Sequence, residues 1–506
     1  MSETNTVPGS SGVYLGRRKI YLSTEDINRE NIVEILNTLL PLQSENMLEE
    51  DYLYWYKRGL QPIVGRTKQV RPEINNQVVE NHAAEIVAFK NGYFLTKPAF
   101  YIARRDEENV NERVGVLNEM LYLSGKQNVD NEVTDWFHTV GIGTLYVEPY
   151  DDPECPVRVY ALDPRSSFVV YSRRPGNEPV MGVNMVVSGR TGETTELTMD
   201  VYTKDRYYKV RGGVTGQVIT GAPLIGTAIG VLEDRPNVLG DIPIVEYQYD
   251  NGRMGSFEAV IPLLDGINNV ASNRLDGIEQ FIQSLMIFYN CQLGDDQNGN
   301  PITPAYIREA GAIFLKSIGQ DKADLKILSE QLDQTQTQVL VDYMYQQVLT
   351  ICGMPSTTKG GTSTSDTGAA VLFRDGWYQA DTYARNTEDM FKVSNRRFDR
   401  IFTKILRMKN IVDISLADFE LQFPRNETAN LLVKTQAALN LKNLGFSPEL
   451  AFGKSGVSSD PVADVAMSRK YIDQMWGTQE NAVQQSEIQR NDAEANRDTA
   501  EAAADE

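Results

Sequence analysis

Two histidines, three cysteines and 69 carboxylates are the side chains from which this 506-residue chain could build a catalytic or metal site. His82 and Glu85 stand three residues apart, on one face of any helix that carries them. Zinc needs three or four ligands, and no third one stands at ligand spacing beside this pair. Cys155, Cys291 and Cys352 are far apart and form no Cys-x-x-Cys unit, so neither a disulfide framework nor a thiolate cluster is expected. The stretch AFGKSG (451–456) contains Gly-Lys-Ser, but a phosphate-cradling loop needs another glycine five residues before Gly453, where Pro448 stands. Its surroundings also read as helix, where such a loop needs a preceding strand. In DDQNGN (295–300), setting Gly299 at the sixth position of a calcium loop places Gly294 and Ala305 where carboxylates belong, so the stretch reads as a hairpin turn. No Gly-x-Ser-x-Gly elbow is present, and two histidines leave few options for a general base. A hydrolase built on a carboxylate pair assembled by tertiary structure stays open as an alternative. No sequence feature points to it, and neither catalytic residues nor a cofactor nor a metal are expected.

The elements that would position such groups follow from length and pattern. A chain of 506 residues exceeds a single core and predicts two to four domains. With 49 basic against 69 acidic side chains the formal charge is −20, which excludes a generally basic nucleic-acid coat but not a protein that DNA slides past. The start, MSETNTVPGSSGVYLG, lacks the apolar core of a secretory peptide, and no apolar run approaches membrane-spanning length. A soluble intracellular protein with reduced thiols is expected. Residues 1–24, with Arg17, Arg18 and Lys19, read as a flexible arm. A helix capped near Ser23–Asp26 carries Ile32, Ile35, Leu36, Leu39 and Leu40 on one face. A second, over 44–58, holds Tyr52, Tyr54, Trp55 and Tyr56; nucleobase stacking is conceivable there, but aromatics at helical spacing read first as packing. Residues 71–101 read as a helix running into a strand, and 112–140 as two helices broken near Gly125. From 143 to 250 the period becomes two, with Gly, Pro and Asp clusters between runs, which predicts a mostly antiparallel β region.

Beyond it, 256–285 is a long amphipathic helix followed by a compact insert, 286–332. The insert has strands at MIFYNCQL, AIFLKSI and LKILSE, a turn at Asn298-Gly299 and a helix start at Thr303-Pro304. A Gln-rich helix follows at 333–352. The two helices flanking the insert hold Glu258, Asp265, Asp276, Glu279, Asp333 and Asp342 against a single basic residue, Arg274. Such a face is either plainly solvated or a wall that phosphates slide along without sticking. The loop 353–368 has four glycines and almost no apolar residues. It leads into a helix over 369–409 whose Ala370, Phe373, Trp377, Ala380, Phe391, Phe398, Phe402 and Ile405 stay in phase. Residues 426–477 read as a smaller helical unit. The tail 478–506 has eight acids, two arginines and no aromatic residue, so it reads as disordered or as a frayed helix.

In the order of these pieces the chain resembles the portal proteins of tailed double-stranded DNA bacteriophages, of the type found in long-tailed phages of Gram-positive hosts. The resemblance spans roughly 25–477. It rests on INNQVVENHAAEIVAFKNGYFLTKPAFY, on YALDPRSSFVVYS and GDIPIVEYQYDN, and on the helix–insert–helix–loop–long helix series.

The resemblance implies an α+β portal fold. Its parts are a β-rich wing (25–255), a stem of two helices (256–285 and 333–352), a small α/β clip (286–332) and a tunnel loop (353–368). A long wing helix with a return strand (369–425) and a helical crown (426–477) complete it. It implies a homo-oligomeric ring, usually of twelve subunits, at the capsid portal vertex of the virion and assembled in the host cytoplasm. Double-stranded DNA would be packaged, retained and ejected through it. The implied partners are the terminase large subunit, the head–tail adaptor and the major capsid and scaffolding proteins, with no membrane. Carried onto this chain, Lys359, Gly360, Gly361, Thr362, Ser363 and Thr364 would face DNA, with Lys359 the one basic residue of the loop. Glu258, Asp265, Asp276, Glu279, Asp333 and Asp342 would line the channel. Another ring-forming head–tail connector is the nearest alternative, though the chain is large for one.

Overall fold

The alternation of apolar and polar residues from 142 to 248 folds into β3 (Ile142–Pro149), β4 (Val157–Leu162), β5 (Ser167–Ser172), β6 (Pro179–Thr191), β7 (Thr194–Thr203), β8 (Arg206–Thr215), β9 (Thr227–Pro236) and β10 (Ile244–Gln248). The computed structural model describes residues 16–23, 26–69, 71–104, 108–191, 194–215, 225–282, 285–289, 291–293, 315–317, 324–328, 334–356, 376–424, 431–458, 461, 464–469 and 471. These fall into two compact units, one of 1–52, 87–256 and 357–506, the other of 53–86 and 257–356. Helices and sheets are both extensive, so the fold is α+β as expected.

In the first unit, β5 to β9 form an antiparallel meander, and β1 (Ile20–Leu22) adds to its edge in parallel with Val170–Ser172. The arm is therefore not free throughout. Arg17 is 2% exposed, its Nε 3.2 Å from Glu49 Oε2 and its Nη1 donating to the Val140 carbonyl at 3.0 Å. Sequence reading overlooked this because a three-residue strand has no period to detect. The helix carrying Ile32 also differs from expectation. Instead of two helices, α1 (Ile32–Lys57) runs through Pro41, and Asn28 and Asn31 mark its start by exchanging side-chain and backbone hydrogen bonds. Its Ile32, Ile35, Leu36, Leu39 and Leu40 pack on Phe168, Val170, Met181, Val183 and Met199 of the meander.

The other sheet, β10-β3-β4, supports a second core. Around it lie α3 (Glu108–Leu123), α4 (Lys126–Val140) and α7 (Trp377–Met408), whose Phe391, Phe398, Phe402 and Ile405 keep the phase seen in the sequence. The predicted start of that helix, 369–375, lies outside the described residues. Gly141 joins α4 to β3 at φ +91°, where a Cβ would meet the Arg253 carbonyl oxygen at 2.1 Å. The return strand β15 (Phe419–Gln422) pairs antiparallel with β2 (Phe100–Ala103). Buried polar groups in this core have partners. Tyr101 donates to Asp399 at 2.5 Å, Asn395 to Asp399 at 2.8 Å and Tyr247 to Asn395 at 2.9 Å. The ammonium of Lys126, bonded to Asp130, lies 4.5 Å from the Phe398 ring centre. Further along, α8 (Leu431–Asn443) and α9 (Pro448–Ser455) are joined through Gly445 at φ +86°, and Ser447 caps α9.

Glu50 on α1 is an exception: it is fully buried, and neither carboxyl oxygen has a hydrogen-bond partner among the described residues. Burial outweighs the attraction of Arg17 and Arg253 and pushes its carboxyl up to about 8. A folded-state value raised above the unfolded 4.5 makes Glu50 harmless below about pH 4.5 and costs stability as pH rises toward 8. Glu50→Gln should therefore leave Tm unchanged at pH 5 and raise it by about 2–4 °C at pH 9. Thermal melts at the two pH values check this; an equal shift at both would refute it.

Candidate functional site

In the second unit two helices flank the insert: α5 (Ile261–Ile282), entered by a short 3-10 turn at Glu258–Val260, and α6 (Gln334–Ile351). They pair along their length. Gly266 lets them approach, since a Cβ there would meet Met344 Cε at 2.6 Å. Arg274 Nη1 donates to Gln338 Oε1 at 2.5 Å, and Gln338 donates on to Asp342 at 2.7 Å. Val260, Ile261, Leu264, Ile267, Val348 and Leu349 are buried, and Phe257 stacks on Tyr56 with ring centres 5.8 Å apart. The aromatic cluster of α1 thus packs, at Tyr56, as core.

The polar face of α5 is occupied by the chain itself. The helix expected from 71 begins only at His82 (α2, His82–Phe94): residues 71–74 close a turn with Arg71 at φ +51°, and 75–81 run without helical structure along α5. Glu80 N–H donates to Asn268 Oδ1 at 2.8 Å, Val78 N–H to Ser272 Oγ at 2.9 Å and Asn76 N–H to Asp276 Oδ1 at 2.8 Å. Acceptors at steps of four on a helix thereby serve donors at steps of two on an extended chain. Asn268 also donates to Gln61 Oε1, and Asn76 Nδ2 reaches Glu279 Oε2 at 2.9 Å. Asp276 binds the Lys68 ammonium, with Arg66 Nη2 at 3.2 Å. Burial would raise the Asp276 carboxyl, but the bonds from Lys68 and Asn76 outweigh it and hold it below the usual carboxylate range.

This overturns part of the expected channel wall. Glu258 is fully buried and Asp276 is 4% exposed, so neither can present its carboxylate to a passing polyanion. Asp265 accepts from Tyr56 Oη at 2.8 Å, burial raising its carboxyl while Tyr56 lowers it, and Glu279 is tied to Asn76. Asp342 is exposed on α6. Asp333 lies outside the described residues, as do Lys359, Gly360, Gly361, Thr362, Ser363 and Thr364. Of the loop 353–368 only its beginning is described, with Gly353 at φ +65° and Ser356 Oγ donating to Gln346 Oε1 at 2.6 Å. Sequence reading missed Asn268 and Ser272. Their four-residue spacing with Asp276 was the available signal.

In the insert, β11 (Leu285–Tyr289) pairs with β14 (Asp324–Leu328) and β12 (Cys291–Leu293) with β13 (Leu315–Ser317), all antiparallel. The Asn298-Gly299 turn and the Thr303-Pro304 helix start lie outside the described residues. His82 holds Glu85 Oε2 at 2.7 Å and Glu80 Oε2 at 3.3 Å, and its ring lies 4.5 Å from that of Tyr345. Among the described residues no three ligating side chains converge on a metal position, and no helix is long and apolar enough to cross a membrane. Gly453-Lys454-Ser455 belongs to α9.

Asp276→Ala would take the acceptor from the Lys68 ammonium and the Asn76 backbone N–H, and one of two acceptors from Arg66 and from Asn76 Nδ2. Removing one partner of a largely buried pair costs about 3 kcal/mol. Because Asp276 is held low, its contribution is present above the unfolded value of 3.8 and is lost as pH falls below it. Urea melts at pH 7 and pH 3 should therefore show a large Asp276→Ala deficit at the first and a small one at the second.

No protein of curated function matches the chain in sequence. In structure it is similar to a chain described as "Neck of empty GTA particle computed with C6 symmetry", at TM-score 0.41 and 12% identity over 74% of this chain and 90% of that one. The family model described as "Phage portal protein, SPP1 Gp6-like" matches residues 41–494, nearly the whole length. The chain belongs to the SPP1 Gp6-like family of phage portal proteins.

Proposed function

We propose that this portal protein acts as a ring of identical subunits through which double-stranded DNA enters, is held in and leaves the capsid. The observation that carries the ring is the surface of the two stem helices. Leu275, Ile278, Val339, Leu340 and Tyr343 are 45%, 41%, 64%, 48% and 61% exposed in the isolated subunit. Apolar side chains clustered on paired helices mark a surface that another protein covers. Copies of the same helices, related by rotation, cover it in a closed ring. A dodecamer is the number this reading takes.

The insert 286–332 is assigned to the docking of the terminase large subunit during packaging and of the head–tail adaptor afterwards. Major capsid and scaffolding proteins are the partners at the vertex. The protein itself carries out no chemistry; the motor supplies the work. The loop 353–368 is the DNA contact, with Lys359 giving one weak, salt-screened phosphate contact per subunit. Of the six acids first assigned to the channel wall, Asp342 on α6 is the described one whose exposure suits that role.

Tyr343→Asp together with Val339→Asp should convert rings to monomers while leaving the fold intact. Light scattering and electron-microscope class averages read the first, circular dichroism the second. Wild-type protein that stays monomeric at micromolar concentration would overturn the ring. In the loop, Lys359→Glu should lower DNA retention, and replacing Gly360 and Gly361 by valine should lower packaged DNA, because glycine's access to positive φ is lost. Both variants should still assemble. Wild-type packaging by both would remove the loop from any role on DNA.

A further inference from the structure

The long helix α7 carries a charged surface of the opposite sign to the chain as a whole. Lys392, Arg396, Arg400, Lys404 and Arg407 follow one another at steps of four, four, four and three residues, which stacks them on one helical face. At 1.5 Å per residue the stripe is about 22 Å long. Arg113, Arg400, Lys404 and Arg407, with Asp241 and Asp413, line a cavity of about 630 Å³ beside it. Some of this charge is answered locally. Lys392 lies 3.3 Å from Glu420, Arg400 2.8 Å from Asp241 and Arg407 2.6 Å from Asp413. Arg113, Arg396 and Lys404 have no carboxylate within 4.0 Å among the described residues. Arg113 and Lys404 donate to the backbone carbonyls of Asp413 and Gly240.

Such a surface selects an anion, and the spacing says which kind. Duplex DNA presents one charge per about 1.7 Å of axis. A rod so dense in charge would meet Asp241, Asp413 and Glu420 as often as it met an unanswered cation. A peptide with carboxylates at every third or fourth residue can address Arg396, Lys404 and Arg113 and leave the answered positions alone. The chain contains one. In 478–506, Glu494, Asp498, Glu501 and Asp505 recur at steps of four, three and four, and the segment holds eight carboxylates to two arginines. We infer that this acidic C-terminal segment docks on the basic stripe of α7.

Sharing one chain favours it. From Tyr471 to Glu494 is twenty-three residues, which extend to about 75 Å. A tether of that length holds its end at an effective concentration in the millimolar range. The consequence, which rests on the conduit reading, is that a mobile genome is kept from adhering to the outside of the subunit. Uncovered cations would hold phosphates by counterion release; a tethered rival takes their place.

A zero-length carbodiimide cross-link joins a lysine amine only to a carboxylate in contact with it. Applied to the full chain, it should join residues 494–506 to Lys404 in preference to other surface lysines such as Lys57, Lys97 and Lys209. Glu501→Lys with Asp505→Lys should abolish those links. A chain ending at Gly477 should bind a labelled 20-base-pair duplex at 50 mM salt about tenfold more tightly than the full chain. Arg396→Ala with Lys404→Gln, which removes no internal carboxylate pair, should cancel that gain. Tail carboxylates linked evenly to lysines over the whole surface, or an unchanged duplex affinity on truncation, would overturn the docking. Light scattering on the same samples reports the ring separately, so monomers with the expected cross-links would sink the ring and leave the docking standing.

Discussion

Four residues of α-helix advance about 6 Å, and two residues of extended chain advance about 6.6 Å. That near coincidence lets Asn268, Ser272 and Asp276 of α5 receive the backbone N–H groups of Glu80, Val78 and Asn76 in turn. Backbone donors taken out of water must find acceptors. An extended segment laid on a helix has no strand beside it to supply them, so the helix side chains do. The polarity of α5 is a consequence: one face must stay apolar to meet α6, and another must carry short acceptors at every fourth position. Lys68 and Arg66 then bring the positive charge that makes a largely buried Asp276 tolerable.

This constraint explains which parts of the molecule could be read from the sequence. The meander, the α3–α4 break at Gly125, the insert strands and the buried face of α7 are each set by neighbours a few residues away, and periodicity exposes them. The phase of Phe391, Phe398, Phe402 and Ile405 could be seen before any partner was known. The order of those pieces was enough to suggest the portal family. What covers a polar face is another matter. Asp276 meets Asn76 and Lys68 across about two hundred residues of chain, and nothing near it in sequence announces them. Its carboxylate therefore looked like a wall for DNA when it is an anchor for the chain. Glu258, fully buried, misled in the same way. Residues 75–81 misled for the converse reason, because their side chains pattern as helix while their backbone bonds go to α5.

Once the polar face of α5 is taken up internally, Leu275, Ile278, Val339, Leu340 and Tyr343 stand exposed on the α5–α6 pair, and among the described acids assigned to the wall Asp342 is the exposed one. The pair thus carries two kinds of surface: Asn268, Ser272 and Asp276 of α5 hold the subunit's own chain, while Leu275, Ile278, Val339, Leu340 and Tyr343 stay exposed. The first unit handles charge differently. There Lys126 is enclosed by Asp130 and aromatic rings, Asp399 by Tyr101 and Asn395, while the cations of α7 remain near solvent. Lys126 is compensated by Asp130, whereas burial outweighs the neighbours of Glu50 and Asp399 and pushes their carboxyls up to about 8 and about 7.

The small strand β1 has a bearing on how the subunit comes into being. Ile20–Leu22 leave the ribosome early, yet their partners Val170–Ser172 follow some 150 residues later. Closing so long a loop is slow relative to forming hairpins such as β6–β7. The meander can therefore assemble first with its β5 edge bare. Until Ile20–Leu22 return, that edge offers unpaired N–H and C=O groups to any other chain emerging nearby. β1 is in this sense the last strand of its sheet to settle, a built-in seal against nascent copies adding to the wrong sheet.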